Sequence, residues 1–175
     1  MTTVFETERL TIRHWEEEDA PTLLRIYQDP QVHRFLGSVA QNLEEQKERL
    51  ARMKARYREE GDKYGSWAIV EKITGEAVGA VILKPLPGHE EIEVGWHLSY
   101  PAWGKGYASE AGRACLEYGF ETLGLTRIVA VVNPLNARSI AVTQRLGMRP
   151  EGRVTAYEQE LDFFVLEREA FRNGI

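Results

Sequence analysis

Gly104 and Gly106 bracket Lys105 in the stretch PAWGKGYASEA, Pro101 to Ala111, and small helix-compatible residues follow them. The first amides of a helix lack partners within it, and the aligned peptide dipoles add partial positive charge there. Glycines let such a backbone approach a ligand, Lys105 adds a mobile cation, and Ser109 adds a hydroxyl in the first turn. The combination suits a phosphate. It suits equally a tight turn that happens to carry a lysine, so the rest of the chain must decide.

Two nucleotide motifs fail by spacing. A dinucleotide fingerprint needs glycine where Ser109 stands and an acidic residue after the next strand, which ends instead in Val132-Asn133. A P-loop needs Ser or Thr directly after Gly-Lys, but Gly106 follows Lys105, and Ser99 occupies the early glycine position.

The elements that must hold this turn follow from the apolar pattern. Thr7 to Trp15 alternates as a strand, and a helix follows in which Asp19 can cap, Pro21 sits in the first turn, and Asp29-Pro30 ends the run. Leu43, Leu50, Met53 and Tyr57 form one stripe in an otherwise charged stretch, predicting a helix with one wet face over 42–60. Thr74-Gly75-Glu76 joins two apolar runs as a hairpin, and Glu91 to Tyr100 alternates as a further strand. After the glycine turn a helix runs to about Leu123, with Ala108, Ala111, Cys115 and Gly119 as a small-residue side able to lie close on a sheet. Thr126 to Val132 is nearly all apolar, the mark of a strand covered on both faces. A second helix, Ala137 to Leu146, stops at Gly147, and strands around Arg153 to Tyr157 and Glu160 to Glu167 close the chain.

A chain of 175 residues fits one domain, 1–175, and 43% hydrophobic with 28% charged residues is the composition of a soluble globule. A net charge of −5 argues against a nucleic-acid surface, which needs clustered Lys and Arg. The lone Cys115 makes no internal disulfide, and the start MTTVFETERL lacks the pattern of a secretory signal, so the expected compartment is cytoplasmic. Apolar runs such as AVGAVIL fall far short of the roughly 20 residues of a membrane span. His14, His33 and His89 have no metal-like spacing, and Cys115, mid-helix among small apolar residues, reads as core rather than nucleophile.

WGKGYASEA resembles the acetyl-CoA pyrophosphate loop of the GCN5-related N-acetyltransferases (GNAT). That pattern runs Gln or Arg, two residues, Gly, one residue, then Gly or Ala. Gly106 and Ala108 match, while Trp103 stands in the first position. The stretch NPLNARSIAVTQRLGMRPEG is similar to the RimJ/RimL-like branch, the ribosomal-protein N-terminal acetyltransferases, and TERLTIRHWEEEDA and EVGWHL fit that branch in order and spacing. The resemblance covers nearly the whole chain. It implies an α+β fold with a mixed sheet of six or seven strands, helices on both faces, and a splay between the fourth and fifth strands, here Glu91 to Tyr100 and Thr126 to Val132. The thioester of acetyl-CoA would lie in the splay. By the same resemblance the pantetheine arm adds as a strand along His97, Leu98 and Ser99. The pyrophosphate then rests on the loop of Trp103, Gly104, Lys105, Gly106, Tyr107, Ala108 and Ser109, with Asn136 and Ser139 as further cofactor contacts.

Acetyl transfer to an amine needs the amine deprotonated, the oxyanion stabilised and the departing thiolate protonated, with no metal required. Glu91, Glu93, Gly95 and His97 share one strand face, opposite Ile92, Val94, Trp96 and Leu98. Family members that use an acidic residue on the fourth strand make Glu93 the expected base ahead of His97; the alternative is an exposed strand carboxylate. Many members protonate the thiolate with a tyrosine where Thr143 stands here. Ser139, one turn earlier on the same helical face, is the expected proton donor or sulfur-binding group, the alternative being an ordinary helix-start serine. Asn136 is likewise open to a role as helix cap only. Phe35, in a connector, and Trp96 are candidates for the acceptor pocket, while Trp15, Trp67 and Tyr157 suit either a pocket wall or the core. The expected acceptor is a protein N-terminal α-amine. The alternatives are a small amine, such as a polyamine, amino acid or aminoglycoside, and a non-catalytic acyl-CoA-binding module. Family members are often homodimers, but no stripe here identifies an interface.

Overall fold

A computed structural model of the chain describes residues 2–174. The expected strand from Thr7 to Trp15 is in fact the second of an antiparallel pair, β1 (Thr3–Glu6) and β2 (Leu10–Arg13). Thr7 turns the chain between them, its hydroxyl accepting from the Leu10 amide at 3.0 Å. Helices α1 (Ala20–Gln28), the single turn α2 (Pro30–His33) and α3 (Leu43–Glu59) follow. Asp19 does not cap α1: its carboxylate takes the Arg13 guanidinium at 2.7 and 2.9 Å and the Glu16 amide at 2.8 Å, tying the helix start to β2.

Next come β3 (Gly65–Glu71), β4 (Ala77–Pro85), β5 (Ile92–Leu98), α4 (Tyr107–Glu117), β6 (Arg127–Val132), α5 (Ala137–Arg145), β7 (Arg149–Ala156), β8 (Gln159–Glu167) and α6 (Arg168–Arg172). Among the described residues the sheet therefore has eight strands, one more than the highest number expected, in the order β1-β2-β3-β4-β5-β6-β8-β7. The extra strand is β1, four residues whose only partner is β2.

Helices cover both faces. On one, Ala111, Cys115 and Leu116 of α4, Val142 of α5 and Leu146 at its C-cap bury Ile69, Leu83, Val94, Ile128 and Phe164. A small residue lets the helical turn that continues α4, Tyr118–Thr122, lie close: a Cβ on Gly119 would stand 2.6 Å from Ile128 Cδ1. On the other face, Leu23 of α1 and Leu50 of α3 pack over Ala68, Val70 and Ala80. The apolar run of β6 is covered on both sides, because Val129 joins a separate cluster with Leu86, Ala156, Leu161 and Phe163.

All neighbouring strands are antiparallel except β5 and β6, which share one bridge, Glu93 to Val129. Beyond it β5 continues beside β4 to Leu98, so the sheet opens into a V whose apex is Glu93.

Candidate active site

The alternation of β5 decides which backbone groups face the V. The Ser99 amide donates to Val78 O at 2.8 Å, so in an antiparallel ladder the groups of His97, Gly95 and Glu93 also turn toward β4, and those of Leu98, Trp96 and Val94 turn toward the opening. The expected edge of His97, Leu98 and Ser99 is thus corrected: Ser99 is engaged by Val78 and, through its carbonyl, by the Ala102 amide. Both backbone groups of Trp96 and the amide of Leu98 carry the open edge, the Leu98 carbonyl being taken by the Trp103 indole. Unpaired strand groups of this kind are what a pantetheine arm, itself a chain of amides, can bond.

At the end of β5 the chain makes a short turn, Tyr100–Ala102, and enters the glycine loop. Trp103 Nε1 donates to Leu98 O at 3.0 Å, which folds its ring back on the strand end. Gly104 and Gly106 have φ of 77° and 81°, the left-handed region that side-chain-bearing residues avoid. Gly106 precedes α4 without any side-chain cap, and the amides of Gly104 through Ser109 find no acceptor among the described residues. Six free amides at a helix start fit a pyrophosphate. Ser109 Oγ also lacks a partner, although it is buried.

Arg9, from the turn before β2, braces this loop. Its guanidinium donates to Lys105 O at 2.8 Å, pairs with Glu110 and lies 4.7 Å from the centre of the Tyr107 ring. Tyr107 is buried, and its hydroxyl donates to Glu71, whose carboxylate also draws Lys105 Nζ to 3.5 Å. The Tyr107 hydroxyl, then the Thr74 hydroxyl, hold Glu71 below the usual carboxylate range. The side chain of Tyr107 is therefore structural, leaving its amide for a ligand. Lys105 keeps half its side chain exposed. A second cation comes from α5, where Arg138 stacks 4.6 Å from the centre of the Trp103 ring. Trp103, in the place of the family's polar residue, thus brings in an arginine from across the cleft.

Asn136 caps α5, its Oδ1 accepting from the Ser139 amide at 3.3 Å, so the helix-cap reading holds whatever else its amide group contacts. The Ser139 hydroxyl is half-buried and makes no hydrogen bond among the described residues. Thr143 differs: it is fully buried and its hydroxyl donates to Ile140 O at 2.6 Å, leaving it no proton for a thiolate. Of the two hydroxyls on this helical face, Ser139 is the free one.

On the α1 and α3 side of β5 lie Glu93 and His97. Glu93 is 6% exposed; Tyr157 donates its hydroxyl to Oε1, and Lys84 Nζ stands 3.7 Å from the same oxygen. Burial raises the Glu93 pKa above the usual carboxylate value, and the Tyr157 and Lys84 contacts oppose the rise without cancelling it. His97 Nδ1 lies 3.0 Å from the Tyr27 hydroxyl, and burial, with Lys84 adding to it, pushes the imidazole down to about 4. At neutral pH His97 carries no charge.

Trp96, expected at the acceptor pocket, faces the other way, within 3.5 Å of a Cβ placed on Gly112 of α4; its backbone, not its indole, belongs to the cleft. Phe35 lies half-buried in the connector after α2, with Arg34 5.0 Å from its ring centre, and no contact joins it to Glu93. Cys115 is fully buried, and burial pushes its thiol up, away from nucleophilic use. Among the described residues no cluster of His, Cys, Asp or Glu could hold a metal, and no helix is long and apolar enough to cross a membrane. Sequence reasoning missed Lys84, Arg138, Arg9 and Glu71. Cross-strand register places Lys84 opposite Glu93, so a hairpin alignment across the Pro87-Gly88 turn could have found that pair. The contacts of Arg9 and Glu71 with α4 link residues far apart in the chain and had no local signal.

An open strand edge, free amides at a helix start and a splayed sheet suit a ligand that ends in a pyrophosphate, and comparison with known proteins gives the family. Residues 9–149 match the Acetyltransferase (GNAT) domain. An uncharacterized N-acetyltransferase, p20, of Bacillus licheniformis is 34% identical over 154 residues, 87% of this chain and 86% of that protein. Spermidine N(1)-acetyltransferase of Escherichia coli K12 is 30% identical over 107 residues, 61% of this chain and 54% of that one. The ribosomal-protein-S5-alanine acetyltransferase of Vibrio fischeri shares the fold, with a TM-score of 0.75 at 20% identity over 95% of this chain and 97% of that one. This chain belongs to the GNAT acetyltransferases and is an acetyl-CoA-dependent N-acetyltransferase.

Proposed function

We propose that the acceptor is the α-amine of a protein N-terminus. The observation that carries this reading is the charge around the base. Lys84 Nζ stands 3.7 Å from Glu93, and Glu91, the next carboxylate on that face, is paired with Arg127 at 3.2 Å. A polyamine presents several positive charges and needs uncompensated carboxylates to receive them. Here the base already has its cation, which suits an acceptor with a single amine. An α-amine, with an ordinary pKa near 8, has a neutral fraction at physiological pH and asks little of the base. The neutral imidazole of His97 adds no repulsion.

In this reading Glu93 receives the amine's proton, and the free Ser139 hydroxyl serves the sulfur. The amides of Gly104 through Ser109, with Lys105 and Arg138 beside them, hold the pyrophosphate, and the open edge at Trp96 and Leu98 aligns the pantetheine. Acetyl-CoA supplies the activated acetyl group. A cytoplasmic setting is part of the same reading, supported by a lone and buried Cys115. The test is a peptide with both a free α-amine and an internal lysine, incubated with the protein and acetyl-CoA and mapped by fragmentation mass spectrometry. Acetyl on the α-nitrogen is expected; acetyl on the lysine alone would overturn the assignment.

A further inference from the structure

Glu93 is sealed. With 6% of its surface exposed, its carboxylate offers no room for the amine of a peptide. The side chain bonded to it is open: Tyr157 is 42% exposed, and its hydroxyl donates to Glu93 Oε1. Sheet pairing does not explain this contact, because β8 and β6 lie between β7 and β5. The hairpin reaches β5 by curling over the sheet. Ala156 and Leu161 pack with Leu86 at the end of β4, and His89 Nε2 lies 2.9 Å from Thr155 O.

The turn that carries Tyr157 is costly for its sequence. Ala156 pairs with Gln159, so Tyr157 and Glu158 form a two-residue hairpin loop, with φ of 52° and 59°. Such turns need left-handed residues and ordinarily use Asn-Gly or Asp-Gly. A tyrosine there is held against its backbone preference, and strained positions of this kind cluster at functional sites. Lys84 fixes the geometry from below, 3.7 Å from Glu93 and 5.1 Å from the centre of the Tyr157 ring.

We propose that Tyr157 is the group that meets the acceptor amine, and that Glu93 takes the amine's proton through it. The proposal rests on the reading of Glu93 as base. As the amine nitrogen bonds to the thioester carbonyl carbon, its N–H proton passes to Tyr157 Oη and the Tyr157 proton passes to Glu93 Oε1. The C–S bond then breaks, the thiolate leaves with the electron pair and is protonated to CoA thiol from solvent through the Ser139 hydroxyl, and Glu93 returns its proton to solvent. Tyr157 ends unchanged, and no oxidant or further reactant is needed.

The groups around Glu93 suit a relay. Lys84 faces it from β4, Tyr57 lies within electrostatic reach from α3 with Arg56 near Tyr157, His97 shares its strand face, and Val129 on β6 is apolar. Burial raises the phenol pKa of Tyr157, and the Glu93 charge raises it further, so the hydroxyl keeps its proton until one arrives from the amine.

The test compares Tyr157→Phe, Glu93→Gln and the double variant in CoA release from acetyl-CoA. The acceptors are a peptide with free N-terminal serine, one with free N-terminal alanine, and spermidine. A relay predicts that each single variant lowers kcat by about 100-fold with KM unchanged, that the double variant is no worse, and that the acid limb of the pH profile disappears in both. Thermal stabilisation by acetyl-CoA should match wild type in Tyr157→Phe, confirming fold and cofactor site. Retention of kcat and the acid limb by Tyr157→Phe, with loss in Glu93→Gln, would overturn the relay and leave Glu93 as a direct base. Retention in both variants would overturn the base reading as well. No release from any acceptor by the wild type would remove the acetyl-transfer reading beneath both. A second measurement needs no variant: rates in H2O/D2O mixtures should curve as two protons in flight require, and a straight line contradicts the relay.

Discussion

Replacing His97 by glutamine reports whether the cleft holds its imidazole neutral. Burial beside Tyr27, with Lys84 adding repulsion, lowers the group from its ordinary 6.5 to about 4. Between those two values the unfolded chain binds the proton and the folded chain does not, so stability falls as the pH drops from 6.5 and stops falling near 4. At about 1.4 kcal/mol per pH unit the loss reaches up to about 3 kcal/mol. For a chain of this length that corresponds to roughly 6–12 °C in melting temperature. The assay is urea unfolding of wild type and His97→Gln at intervals from pH 7.5 to 4, with the difference in unfolding free energy plotted against pH. Subtraction removes the carboxylates common to both chains. Among them is Glu93, whose raised pKa works oppositely, its contribution present at low pH and lost as the pH rises through the folded value. The expected difference narrows by up to about 3 kcal/mol toward acid. A flat difference across this window would refute the neutral imidazole and, with it, the uncharged approach to the amine.

The loop, the α5 hydroxyls and the strained turn each make a further prediction. Lys105→Glu puts a second carboxylate beside Glu71 at the free amides and should weaken acetyl-CoA binding by more than about 10-fold, while Arg138→Ala should weaken it less and make it less dependent on salt; isothermal titration at two ionic strengths measures both. Thr143→Val removes a buried hydroxyl bonded to Ile140 and should cost about 1 kcal/mol in stability with no effect on kcat. Ser139→Ala should do the reverse, lowering kcat while the melting temperature holds. Replacing Tyr157-Glu158 by Asn-Gly relieves two left-handed residues and should stabilise the fold by about 1 kcal/mol while depressing turnover, as calorimetry and CoA release would together show.

The glycine loop was legible because its geometry resides in backbone: Gly104 and Gly106 announce left-handed turns, and the helix after them announces free amides. The splay was legible through the resemblance and through the apolar run of β6, which marks a doubly covered strand. Other features were not local. Thr3 to Glu6 is a short edge strand, paired on one side only, and carries too few residues for alternation to stand out. The strand edge shifted from His97 and Ser99 to Trp96 and Leu98 because side-chain alternation does not reveal which backbone groups face which neighbour; that needed the Ser99 to Val78 bond. Tyr157 was readable only as an aromatic suited to wall or core. Its meeting with Glu93 depends on the curl of a whole hairpin, a property of packing against Leu86 rather than of any short stretch of sequence.

The choice of acceptor amine is the most direct consequence of the charge around Glu93. Initial rates of CoA release with saturating acetyl-CoA, measured side by side for a peptide with a free N-terminus, the same peptide N-acetylated, and spermidine, decide it. The charge-compensated base predicts turnover of the free peptide, none of the blocked one, and a far slower rate with spermidine. Preferential use of spermidine, with a rate that falls as salt is added, would contradict the assignment.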